Sequence, residues 1–284
     1  MKEKAIKLAF LACGLLTIGF VLLITIFLVI SGIPAIGEIG LSEFLTGTRW
    51  ASTAAEPSYG ILPFILTSLY GTCGAILIGV PVGLLCAVFL AKMAHPAVSG
   101  IVRNVVDLLA GIPSVVYGLI GMILVVPWVR ETFGLPDGAN LFSAILVLAV
   151  MILPSVISVS ETAIKAVPKE YEEASLALGA TKTETVFKVV VPAAKSGIVT
   201  AVVLGVGRAV GEAMAVMMVS GNVANMPGLF KSVRFLTTAV ASEMSYSSGL
   251  QRQALFSIAL VLFFFIMMIN LLLNLAVKGG EKHD

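Results

Sequence analysis

The sequence predicts an all-α, polytopic membrane protein. Three observations carry that reading. Of 284 residues 58 % are hydrophobic and 12 % charged, against about 25 % charged in soluble domains. The apolar residues gather into six runs, 8–33, 61–91, 105–129, 141–160, 196–221 and 254–277, each near the ~20 residues that cross a bilayer as helix. Lys and Arg fall unevenly between the runs. Lys2, Lys4, Lys7, Lys92, Arg103, Lys165, Lys169, Lys182, Lys188, Lys195, Lys278 and Lys282 lie on one side, and Arg49, Arg130, Lys231, Arg234 and Arg252 on the other. The basic side is cytoplasmic by the positive-inside rule, so an even number of spans puts both termini inside. One membrane domain, 1–284, accounts for the chain.

The first run follows Lys2, Lys4 and Lys7 as a signal peptide would. Its apolar stretch to Ile33 outlasts a signal h-region of about 7–15 residues, and we read it as an uncleaved span. The second run is long enough to tilt. Pro81, Pro113 and Pro154 lie in the second, third and fourth, where each removes a helix donor and favours a kink. Gly111, Ser114 and Gly118 around Pro113 would admit a close neighbouring helix. The outer segments 34–60 and 222–253 are mixed in composition and serve either as connections or as a cap and docking surface for an external protein.

The fifth run carries Arg208 and Glu212 near its middle. Each charge costs roughly 2.5–3.5 kcal/mol at bilayer depth. Four residues apart, the two share a helix face, which predicts a polar path or an internal ion pair. Gly207-x3-Gly211 reads as a close-packing face.

Between the fourth and fifth runs lies a polar loop, 161–195, on the cytoplasmic side. Pro168 suits a first helical position. Glu170, Glu172 and Glu173 favour the start of a helix by its dipole. Tyr171, Ala174, Ser175 and Leu178 share one helix face, and Gly179 can end the helix in a left-handed conformation. Thr181 and Glu184 form a T-x-x-E capping box for a second helix, with Val186, Phe187 and Val190 on its apolar side and Pro192 at its end. The expected hairpin bears apolar side chains away from lipid, to be covered by another protein or by the chain's own span ends.

Glu173-Ala174-Ser175, then Gly179, Val189 and Val191-Pro192, resembles the E-A-A-x3-G-x9-I-x-L-P loop of ABC-importer permeases, with Ser175, Val189 and Val191 as departures. The resemblance implies a type I ABC-importer permease fold, with Glu173, Ala174, Gly179 and Pro192 in the loop that couples to an ATPase. GRAVGEAMAVMMVSGN, FLTGTRW, YGILPFILTSLYGT, LLAGIPSVVYGLIG and KSVRFLTTAVASEMSYSSGLQRQALF are similar to the PstC-type phosphate permeases, a likeness running from about Phe44 to Leu273. Ala213 stands where that family often has Thr.

That resemblance implies inward transport of phosphate, with Arg208 and Glu212 lining or gating the path. It implies as partners a PstA-type permease, a PstB-type ATPase dimer inside, a PstS-type phosphate-binding protein outside, and the bilayer of a bacterial or archaeal cell.

The chain has no G-x4-G-K-[ST] and cannot itself be the ATPase. No catalytic residue, metal or cofactor is expected. Cys13, Cys73 and Cys86 suggest no disulfide framework, His95 and His283 no zinc site, and a net charge of +2 no nucleic-acid partner. The rival readings are a permease of the same fold for another oxyanion such as molybdate, or for an organic solute; an ion-coupled secondary transporter using Glu212 and Asp107; and, weakest, a membrane enzyme.

Overall fold

The computed structural model describes residues 2–280, with side chains except at 2, 3, 5 and 273–280; Lys282 and His283 lie outside the described residues. Helix α1 runs Lys2–Ile39, followed by α2 (Leu41–Thr46) and a short antiparallel pair, β1 (Trp50–Ala51) with β2 (Ser58–Tyr59). Then come α3 (Leu62–Val88), α4 (Pro96–Gly111), α5 (Ser114–Ile120), α6 (Val126–Phe133) and α7 (Leu141–Lys165). The loop contains α8 (Lys169–Ala177), α9 (Lys182–Thr185) and α10 (Val191–Ala193). The chain finishes with α11 (Lys195–Gly211), α12 (Met214–Val219), α13 (Leu236–Glu243) and α14 (Gly249–Gly280). Three π-helical turns, Phe89–Met93, Gly121–Val125 and Val186–Val190, interrupt or extend these helices. Among the described residues, Ile6–Ile39, Leu62–Met93, Ser114–Thr132, Leu141–Lys165 and Gly249–Leu272 are long and apolar enough to cross a bilayer.

Helix α7 is the centre, packed by α3, α4, α11 and α12. Glycines of α3 set the closeness of the α3–α7 contact. A Cβ on Gly74, Gly79 or Gly83 would stand 2.6, 2.7 and 2.8 Å from Ile145, Ile152 and Val156, nearer than carbon atoms pack. Helix α1 touches little but α14. There Ser257 Oγ donates to the Gly32 carbonyl at 2.6 Å and Phe27 meets Phe256 edge-on. The rest of α1 exposes Leu, Ile, Val and Phe around its circumference, the surface of a helix whose solvent is lipid.

The third run is not one helix from 105 to 129. It breaks at Ile112 and Pro113, both extended, between α4 and α5. Pro113 has no N–H for the Leu109 carbonyl, which accepts instead from the Tyr117 hydroxyl at 2.8 Å and the Ile112 N–H at 3.3 Å. The break is thereby satisfied internally, as low dielectric requires. Pro81 and Pro154 lie within continuous helices, so the same residue type gives different outcomes.

The ends opposite the 161–195 loop are more than connections. The segments 34–60 and 222–253 pack with the adjoining ends of α3 and α14 into a core around Phe44, Trp50, Phe64, Leu236 and Leu255. Glu243 is its polar hub. Its carboxylate pairs with Arg234 and accepts from Trp50 Nε1 at 3.2 Å and Gln251 Nε2 at 3.1 Å.

Candidate functional site

Two regions concentrate polar groups against the apolar body, the hairpin after α7 and the broken helix after α11. In the hairpin, Pro168 stands one residue before the expected first helical position (φ −56°, ψ 138°), and its side chain caps nothing. Gly179 adopts φ +88°, the left-handed turn that glycine makes without a Cβ penalty. Its N–H donates to the Leu176 carbonyl at 3.0 Å. The capping box forms as the spacing predicts, with Glu184 N–H on Thr181 Oγ1 at 3.3 Å and Thr181 N–H on Glu184 Oε2 at 3.1 Å. These bonds from the Thr181 backbone and hydroxyl, then the Lys188 ammonium, hold the Glu184 carboxyl below its usual range. Ser175, a departure from the resembled motif, places its hydroxyl 2.9 Å from Thr185 Oγ1 and ties α8 to the second helix.

Pro192 does not end that helix. It sits in the first turn of α10, directly after the π-helical turn, in which Val191 N–H reaches back to Val186. The extra residue of a π turn relaxes the ladder where a proline has removed a donor. The chain turns at Ala194, where Lys182–Ala193 and Lys195–Gly211 meet at 70°.

The apolar side chains of the hairpin divide. Val186 and Val190 are buried against Ala87, Val88, Ile164 and Val167 of the chain's own helices. Tyr171, Phe187 and above all Leu178, 90 % exposed, have no such cover. Glu173, Ala174 and Pro192 are exposed beside them. At the root of the hairpin, Lys92 pairs with Glu172, and buried Glu161 is shared by Arg103 and Lys165. Sequence reading missed these pairs. Glu161, directly after the apolar run ending at Ser160, was the one signal of an unusual charge. Nothing local announces the others.

The fifth run breaks at Glu212, whose backbone is extended (φ −73°, ψ 130°). The shared helix face expected for Arg208 and Glu212 is therefore absent, and no ion pair joins them among the described residues. Glu212 is used locally. Its Oε1 accepts the Ala215 N–H at 3.0 Å, and its carbonyl accepts the Thr237 hydroxyl at 2.7 Å. A side-chain oxygen on an orphan N–H is how a helix start is capped. Ala213, at the N-cap of α12, has no oxygen to offer.

Arg208 is half-buried and, among the described residues, makes no hydrogen bond or ion pair. Its charge lies within reach of Tyr117. Gly207 and Gly211 pack against no other helix of this chain, because a Cβ on either meets nothing within 4 Å. The tight glycines are Gly118, 2.8 Å from Ala215 Cα, and Gly205, 3.1 Å from Val156. Arg208 thus lies with Gly207 and Gly211 on the open face of α11, while Val206, Ala209 and Val210 are buried. Asp107 is exposed on α4, outside the helices long enough to span. No cluster of His, Cys, Asp or Glu suited to a metal occurs among the described residues.

This geometry has relatives. The family model described as "Binding-protein-dependent transport system inner membrane component" matches residues 79–279. The probable ABC transporter permease protein YqgH of Bacillus subtilis is 41 % identical over 270 residues, covering 92 % of this chain and 87 % of that protein. The phosphate transport system permease protein PstC of Haemophilus influenzae is 35 % identical over 285 residues, covering 93 % and 90 %. Among solved structures, inward-facing MetNI methionine ABC transporter superposes with a TM-score of 0.58 at 22 % identity, covering 78 % of this chain and 94 % of that one. That last likeness is one of fold.

Proposed function

Since this chain belongs to the family of inner membrane components of binding-protein-dependent transport systems, we propose that it is the permease subunit of an ATP-driven importer of inorganic phosphate. It is a multi-pass membrane protein and a transport component, and permeases of this kind work with an ATPase and a substrate-binding protein. The observation that carries the phosphate reading is the likeness, along nearly the whole chain, to permeases named for phosphate transport.

The finer assignment is ours. A single domain crosses the membrane six times, with α11 and α12 together as the fifth crossing. Both termini and the hairpin face the cytoplasm. A PstA-like permease completes the path, a PstB-like ATPase dimer seats the hairpin around Glu173, Ala174, Gly179 and Pro192, and a PstS-like protein delivers phosphate from outside.

Arg208 supports the substrate class. A guanidinium held without a counter-charge on an open helix stretch suits an arriving oxyanion, whose geometry its donors match. Glu212 sits beside it to cap α12 and shape the path. The attraction is transient, because a site that holds an ion tightly conducts it slowly.

The test is phosphate uptake by the complete assembly in vesicles, with and without ATP, with arsenate and sulfate as competitors. We expect ATP-dependent uptake that arsenate inhibits and sulfate does not, and its loss in Arg208→Gln while the complex still assembles. Uptake independent of ATP would refute the reading, and equal inhibition by sulfate would refute the substrate. Unchanged uptake in Arg208→Gln would remove Arg208 from the path.

A further inference from the structure

The hairpin is joined to the membrane helices by two routes. One is covalent, through α10 into α11, and it passes the 70° bend at Ala194. Ala194 is buried at that bend, and its N–H donates to the Val190 carbonyl at 3.0 Å, so this route leads into α11 alone. The other route runs across space to the end of α3. Val186 and Val190 pack on Ala87 and Val88, and Lys92 forms an ion pair with Glu172 of α8, the two side chains only 15 % and 26 % exposed.

The backbone at the end of α3 departs from the α-helix where that pair forms. Its last turn, Phe89–Met93, is π-helical, with the Ala94 N–H reaching back to Phe89. A π turn holds one residue more than an α turn, and one residue is about 100° of rotation. Lys92 lies inside this turn, so part of that rotation sets the direction in which it meets Glu172. Upstream, Gly79 and Gly83 lock α3 onto Ile152 and Val156 of α7. A displacement delivered to Lys92 is therefore delivered to the α3–α7 pair.

We propose that Lys92, through Glu172, is a positioning residue that couples movement of the hairpin to α3, in parallel with the covalent path into α11. This rests on the reading of 161–195 as the ATPase-coupling hairpin. Removing one partner of so sheltered a pair leaves the other charge uncompensated and is costly, which is why the exchanged pair is tested beside the single variants. The pair's effect is on how far the helices follow the hairpin, so the decisive readout is phosphate transported per ATP hydrolysed.

The experiment uses the complete assembly in vesicles, supplied with ATP and inorganic phosphate, for Lys92→Met, Glu172→Gln and the exchanged pair Lys92→Glu with Glu172→Lys. In the single variants we expect assembled complex whose phosphate-to-ATP ratio falls by about threefold or more, the scale on which network contacts tune coupling. The exchanged pair should recover most of the ratio. An unchanged ratio in the assembled single variants overturns the proposal, as does a lost ratio that the exchange fails to restore. If the single variants do not assemble, the exchanged pair decides. Coupled transport in it supports the proposal, whereas failure to assemble or uncoupled hydrolysis overturns it. A wild-type complex without phosphate-dependent ATP hydrolysis would instead refute the function proposed above.

Discussion

Gly179→Val isolates the conformational demand of the hairpin. At φ +88° an L-residue suffers a Cβ–carbonyl clash worth about 1–2 kcal/mol, and a β-branched side chain adds restriction at χ1. Beyond this there is no crowding, because a Cβ at Gly179 meets nothing within 4 Å. The cost is therefore borne by the turn alone. At 1.4 kcal/mol per factor of ten, it shifts the turned hairpin against alternatives by roughly 5- to 30-fold. The series Gly179→Asn, Gly179→Ala, Gly179→Val separates causes, since Asn tolerates the left-handed region best among the three. The assay is phosphate-stimulated ATP hydrolysis and uptake by the assembled complex, with hydrogen exchange at the Gly179 and Ala180 amides reporting the turn. Loss of coupling should rank Val, then Ala, then Asn. Full coupling in the Val variant would refute the role of the turn. An Asn variant as impaired as Val would mean that side-chain bulk against a partner, not backbone strain, is responsible.

Glu212→Gln keeps an oxygen for the Ala215 N–H and should retain most transport, whereas Glu212→Ala loses the cap, worth about 1 kcal/mol, and should lower both thermal stability in detergent and uptake; the reverse order would restore a role for the charge itself. Gly118→Ala places a Cβ 2.8 Å from the Ala215 backbone and should cost about 1–3 kcal/mol as overpacking does, read as a lower melting temperature. Gly207→Ala, meeting nothing, should leave that temperature unchanged. The Glu184 carboxyl is held low by Thr181 and Lys188, so its contribution to the hairpin is fully present above the unfolded value, about 4.3 for Glu. It is lost as pH falls through the lower folded value, and amide protection of the turn should fall over that acid interval in the wild type and not in Glu184→Gln.

How much of this was legible in the chain itself varies by element. The capping box at Thr181 and Glu184 and the left-handed Gly179 were readable because both are set by contacts within four residues. The apolar runs were readable because lipid asks only for length and hydrophobicity. Pro113 marked a break and Pro154 did not, and no local rule separates them. At Pro113 the Leu109 carbonyl is met by the Ile112 N–H and by the hydroxyl of Tyr117, eight residues on, a contact that no short window reveals. Ser175 departs from the resembled motif, and its hydroxyl bridges to Thr185 ten residues on, a contact between helices that no local pattern carries.

Charge and composition by themselves determined a helical membrane protein with a polar, glycine-jointed hairpin, since solvent and backbone conformation decide those things one segment at a time. The tertiary structure decided the fate of Arg208 and Glu212. Their spacing of four promised a pair only if the helix continued, and the helix stops at Glu212, where Thr237 from a distant segment donates to its carbonyl and its carboxylate starts the next helix. It also decided that Lys92 meets Glu172 and that Gly118, not Gly207, lies against a neighbour. Such choices depend on which helix lies alongside, and that is a property of the assembled set of helices.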